Sequence, residues 1–228
     1  MPNELNQVPF FVDLAFLAVF FTALALFYRA INRNRGAFIL VLALALIQAL
    51  ASQQGFFLEN KTMPPRMLFL ILPSTVLIVY TFFSNQGKKF INDLNHKYLT
   101  QLHVVRVGVE VVLFWLFIKR VVPESMTFEG RNFDIISGIT APFVAYFAYT
   151  KKQLARKWVV LWNLLCLLLV LQVVVTGILS VPSPIQVWSA NQPNIAVLYF
   201  PYVWLPGIIV PMVVYAHLVV LFKPKETS

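Results

Sequence analysis

The amino-acid sequence predicts an all-α, polytopic membrane protein: a bundle of seven transmembrane helices forming a single domain over residues 1–228, with the N-terminus outside and the C-terminus cytoplasmic. Three observations predict it. The 228 residues are 59% hydrophobic and only 12% charged, about half the charged share of an ordinary soluble domain. Mean hydropathy is +0.76. Apolar runs recur between short polar connectors, and each approaches the roughly 20 residues that a helix needs to cross a bilayer.

The first span covers about 9–31. It exceeds a signal-peptide core and carries neither a basic leader nor a small-residue cleavage site, so it is expected to be retained. Arg29, Arg33 and Arg35 make the next linker basic and therefore cytoplasmic. The second span, about 37–53, leads to an outward polar loop in which Asn60-Lys61-Thr62 has the pattern of a glycosylation acceptor. The third, about 67–84, contains Pro73, a kink-forming residue. Lys88, Lys89 and Lys97 mark a second cytoplasmic connector before the fourth span at about 101–119.

A mixed-charge loop over 123–132 precedes the fifth span, about 133–150, which ends in Lys151, Lys152, Arg156 and Lys157. The sixth, about 158–180, is followed by an uncharged, proline-rich loop with Trp188 as an interface anchor. The seventh, about 195–222, contains Pro201, Pro206 and Pro211 ahead of Lys223 and Lys225. Each proline frees an upstream carbonyl that a lipid-buried helix must satisfy elsewhere. Tyr199, Tyr202 and Trp204 beside them read as an outer aromatic belt.

This arrangement sets twelve Lys and Arg inside against Lys61, Arg66, Lys119, Arg120 and Arg131 outside, with Arg106 alone in the membrane. The asymmetry fits the positive-inside rule. It also accounts for the net charge of +9 without a nucleic-acid partner, leaving the lipid bilayer and a small-molecule ligand as the expected partners. The lone Cys166 lies in a Leu-rich run and reads as a small apolar filler, which excludes an intrachain disulfide. His103, His217 and Glu110 lack the spacing of a metal site, and neither metal nor cofactor is expected.

The fourth span holds the densest intramembrane polarity. His103, Arg106 and Glu110 recur at i, i+3 and i+7, one face of a helix. With alternating span directions, His103 and His217 fall near the cytoplasmic boundary, Arg106 and Asn163 at similar depth, and Glu110 near mid-membrane. These five are the candidate ligand-binding or proton-linked residues, because buried ionisable groups in a membrane usually face an interior or cavity. Arg106 and Glu110, four apart, offset one another as a structural ion pair or line a polar cavity together. Asp134 and Arg131, three apart, form a secondary outer site, with Asn132 available to cap the fifth helix.

Seven spans invite comparison with the microbial rhodopsins, but no lysine lies between Lys157 and Lys223 to hold a retinal, and the two repeats of the SWEET sugar transporters are absent. The segments Met126-Thr-Phe-Glu-Gly-Arg-Asn-Phe-Asp134 and Phe200-Pro-Tyr-Val-Trp-Leu-Pro-Gly207 resemble those of uncharacterised bacterial membrane proteins. That resemblance implies a bacterial inner membrane and no particular activity. The leading expectation is transport or binding of a small polar or anionic molecule, with Arg106 as anion partner and Glu110 as a proton-linked carboxylate. Two alternatives stand beside it: an enzyme acting on a lipid-like substrate between facing His103 and His217, and a structural or sensory protein whose polar stripe serves helix packing.

Overall fold

The computed structural model describes residues 5–222; Lys223 and Lys225 lie outside them. Helix α1 spans Phe10–Ala30, α2 Arg35–Gln53, α3 Leu68–Phe83 and α4 Asn85–Asn92. Then come α5 at His96–Leu102, α6 at Val105–Ile118, and α7 at Ile135–Ala145 with a π-helical turn, Tyr146–Thr150. Helix α8 spans Arg156–Leu179, and α9, Val210–Phe222, is entered through a second π-helical turn, Leu205–Ile209. No strand occurs among the described residues.

Among the described residues five helical stretches are long and apolar enough to cross a membrane: Phe10–Ala30, Arg35–Gln53, His96–Ile118, Arg156–Leu179 and Leu205–Phe222. The expected third and fifth spans take other forms. Helix α3 turns by 88° into α4, and Ile135–Thr150 is a shorter apolar helix, about 24 Å long at 1.5 Å per residue against a hydrocarbon core of about 30 Å.

The helices bury narrow stripes and leave apolar residues outside. On α8 the buried positions Val159, Asn163, Cys166, Val170 and Gly177 follow three- and four-residue steps along one face, while Leu161, Leu164, Leu165, Leu168 and Leu171 are exposed. Helix α1 buries Val12, Phe16, Phe20, Ala23, Phe27 and Ala30 by the same rule. On α7 the buried residues are Ser137, Gly138, Ala141 and Ala145. Small residues on one face let backbones approach closely, and α7 packs on both α5 and α6.

Four features depart from the linear reading. The connector after α3 is helical, because the Ser84 hydroxyl accepts from Gly87 N at 2.9 Å and caps α4. Gly87 and Ile91 are buried there, whereas Lys88 and Lys89 are exposed. A Cβ on Gly87 would lie 2.3 Å from Thr81 Cα, so this corner closes only around glycine. The expected fourth span starts earlier, at His96, and is interrupted at His103 and Val104. There His103, Val104, Arg106 and Val107 each donate to the carbonyl three residues back, at 3.0–3.3 Å. Such tightened winding eclipses residues three apart, setting Arg106 directly over His103.

The supposed outer loop before α7 is also partly interior: Met126, Thr127 and Asn132 are buried, as are Val121 and Val122 just before it, while Glu124, Phe128, Glu129 and Arg131 are exposed. Val121 O accepts from the amides of Ile195 and Ala196, each at 3.0 Å. The described helical part of the last span begins at Leu205, after a short 3₁₀ turn at Ala196–Leu198 and a non-helical crossing. Its aromatics point inward and do not form an outer belt. Trp204 stacks on Phe20 at 4.1 Å and donates to Ala45 O at 2.8 Å, while the Tyr202 hydroxyl donates to Asp13 at 2.6 Å. Asn60 likewise serves a turn: buried, it donates to Phe57 O and accepts from Met67 N.

The expected proline demand is met within the bundle at Pro211. Its missing N–H frees the Gly207 carbonyl four residues back, and the Ser74 hydroxyl donates to that carbonyl at 2.5 Å. Gln48, only 2% exposed, packs against Gly207 and donates to Leu70 O at 3.0 Å. Replacing Ser74 with alanine is therefore expected to cost about 1–3 kcal/mol, the desolvation cost of an unpaired buried carbonyl. Thermal unfolding in detergent checks this, with exposed Thr75→Ala as the neutral control.

Candidate functional site

Helices α6, α8 and α9 and Asp134, the residue just before α7, converge on the Arg106 guanidinium. Arg106 Nε donates to Asp134 Oδ2 at 2.6 Å, and Nη2 bonds Asp134 Oδ1. This two-pronged geometry is the strong form of a carboxylate pair. Nη2 also donates to Cys166 O at 3.0 Å, and Nη1 meets His217 Nε2 at 3.1 Å. Arg106 and Asp134 are 2% and 7% exposed.

A guanidinium only donates, so His217 Nε2 accepts and the ring proton belongs on Nδ1. Nδ1 faces Asn163 Oδ1 at 2.9 Å, and Asn163 Nδ2 donates to Val159 O at 2.8 Å. The chain of bonds thus runs from Arg106 through His217 and Asn163 to a helix carbonyl, with each donor matched to an acceptor. His103, fully buried, stacks on His217 with ring centroids 3.9 Å apart, and Trp162 lies beside both rings, 5.5 Å from His103 and 5.8 Å from His217. Neither ring nitrogen of His103 has a protein hydrogen-bond partner.

Two expected pairings are corrected. Arg106 pairs with Asp134, not with Glu110, because the bidentate fork on one side of the guanidinium is occupied by a carboxylate from another helix. Asp134 consequently belongs to the inner cluster and not to an outer site with Arg131, which is exposed. A second ion pair, Arg66–Glu59, lies at the surface. Glu110 instead accepts from Asn132 Nδ2, an amide that also donates to Met126 O at 2.9 Å. Asn132 Oδ1 accepts from Asp134 N at 2.9 Å, so the residue expected to cap the fifth helix ties the two carboxylate-bearing segments together.

A cavity of about 100 Å³ reaches Glu110 and Asp134, with Asn194 as a third polar residue and apolar walls that include Leu70 and Ile71 of α3 and Val173 and Val174 of α8. Ile71, Val173 and Val174 are partly exposed, so the cleft lies close to the outer apolar surface. Glu110 Oε2 is buried without a hydrogen-bond partner. Neither histidine lines this cleft, and their stacked rings leave no room for a substrate between them. Among the described residues no three of His, Cys, Asp and Glu are grouped to hold a metal ion.

The linear reading missed Asn132 as the Glu110 partner, and Gln48 and Ser74 as polar supports of the last helix. Gln48 carried a signal, since it is an isolated polar residue in an apolar stretch and needs a buried partner. Fold and site together define an all-α protein with several membrane-length apolar helices around a buried, internally bonded ionic cluster. The chain belongs to the family described as Domain of unknown function (DUF8737), whose model matches residues 63–223. The match includes every member of the ionic cluster and leaves out α1 and α2. No curated protein and no solved structure matches the chain.

Proposed function

We propose that this is a seven-span integral membrane protein that binds and transports a small cationic, hydrogen-bond-donating molecule at Glu110. The observation that carries this reading is the Glu110 carboxylate in a largely apolar cleft, with Oε2 unpartnered and Asp134 beside it on the lining. A buried acceptor without a donor is costly, and a ligand N–H would remove that cost. The ligand charge differs from the anion first expected because Arg106 is already neutralised by Asp134 and hydrogen-bonded to His217 and Cys166 O. Exposed leucines along α8 and phenylalanines along α1 support immersion in lipid. The charge asymmetry of the connectors supports an outside N-terminus.

The test is uptake of radiolabelled methylammonium into proteoliposomes containing the full chain. Wild-type vesicles are expected to accumulate it well above empty vesicles, and Glu110→Gln to reduce uptake by about 10-fold or more, the scale of a lost hydrogen bond to a charged group. Unchanged uptake in a Glu110→Gln protein that melts like the wild type would defeat the proposal. Uptake of labelled phosphate or acetate in place of methylammonium would restore the anion reading. The packing alternative has its own support, because the Arg106 cluster is bonded inward on every side described.

A further inference from the structure

We infer that a groove between α2 and α3 holds an acyl chain of an anionic phospholipid, with the lipid headgroup on the basic corner formed by α4 and the start of α2. This rests on the membrane-spanning reading above, but not on the Glu110 cleft. The groove measures about 320 Å³. Its floor is Ile208, Met212 and Tyr215 from the last helical segment, and its sides include Leu44 of α2 and Leu77 of α3. Leu40 and Tyr80, also on the lining, are each 50% exposed, so the groove opens to the side of the bundle. Along α2 the lining runs from Ala37 to Leu44, about 10 Å of helix. An acyl chain, slender and wholly apolar, fits that shape.

Charge specifies the headgroup. Helix α4 turns 88° from α3 and lays Gly87 and Phe90 against one end of the groove, while Lys88 and Lys89 beside them are exposed. Ala37 brings α2 to the groove two residues after Arg35, also exposed. Tyr80 donates to Gln86 Oε1 at 2.8 Å on the rim, which adds neutral polar groups at the same end. A short amphipathic helix with its apolar face on the bundle and lysines outward suits a headgroup layer, and clustered Lys and Arg there favour anionic lipid. A zwitterionic lipid would fill the groove equally well but would gain less from Arg35, Lys88 and Lys89.

The full chain, purified in dodecyl maltoside, is titrated with dioleoyl phosphatidylglycerol and, separately, dioleoyl phosphatidylcholine, and binding is read by native mass spectrometry and thermal shift. The expected result is binding of the anionic lipid at least about 10-fold tighter, a preference that shrinks at 1 M salt, where charges are screened beyond about 3 Å. Combined Arg35→Gln, Lys88→Gln and Lys89→Gln should bring the two lipids within about 2-fold. Leu44→Trp, which fills the groove, should weaken both. Equal binding of both lipids to the wild type would overturn the proposal, as would a preference that survives the triple substitution or anionic-lipid binding unaffected by Leu44→Trp. Because high salt tests the charge dependence on the unaltered protein, misfolding of a variant does not remove the test. Retention in membranes after an alkaline wash checks the membrane reading separately, so the two fail distinguishably.

Discussion

Asp134→Ala is expected to destabilise the protein by about 3–5 kcal/mol, the cost of stripping one partner from a buried ion pair. The Arg106 charge would stay in a site 2% exposed, with His217 and a helix carbonyl as its remaining contacts, neither of which neutralises it. The double variant Arg106→Leu, Asp134→Leu is expected to recover most of the loss, since replacing both members of a buried pair by apolar groups is often neutral or stabilising. Thermal unfolding of Arg106→Leu, Asp134→Leu and the double variant in detergent checks this. Independent, additive losses would show that the pair is not the unit of stability. Arg131→Ala, at the exposed residue first expected to partner Asp134, should change stability by less than about 0.5 kcal/mol.

Gly138→Val should be the next most damaging single change in the cluster, lowering stability by roughly 3 kcal/mol. A Cβ on Gly138 would lie 2.8 Å from Val107 Cγ2, 2.9 Å from Val107 N and 3.3 Å from Arg106 Cβ. The nearby backbone atom belongs to α6, so the clash has no flexible side chain to absorb it. Relief requires α7 to move away from α6, and Asp134, four residues before Gly138, moves with it. Gly138→Ala should show the same effect at smaller size. If Gly138→Val leaves the unfolding temperature unchanged, α7 does not depend on this contact for its seat.

The burial of the polar stripe was legible from spacing alone. His103, Arg106 and Glu110 are all 2% exposed or less, because i, i+3 and i+7 share a face and an apolar protein offers charged groups only its interior. Arg106, His217 and Asn163, expected at similar depth, do lie in one chain of hydrogen bonds, Arg106 to His217 and His217 to Asn163. Asp134 was misplaced by the same depth argument. Residues 121–134 are partly exposed, at Glu124, Phe128, Glu129, Arg131 and Phe133, yet Asp134 at the end of this segment reaches Arg106. The start of the last helix at Leu205 was hidden for a related reason: residues 195–204 are as apolar as a span, and hydropathy cannot separate a buried crossing from a helix.

By itself the sequence determined an all-α chain, most of the membrane-length helices, and the burial of His103, Arg106, Glu110, Asn163 and His217, because composition and periodicity are local properties summed along the chain. Only the tertiary structure decided the partners: Asp134 for Arg106, Asn132 for Glu110, and Ser74 for the carbonyl freed by Pro211. Those choices depend on how far one helix slides along another. That offset is limited at tight contacts such as Gly138 against the Val107 backbone and Gly207 against the Gln48 side chain, and a glycine in a linear sequence does not name the residue it will meet.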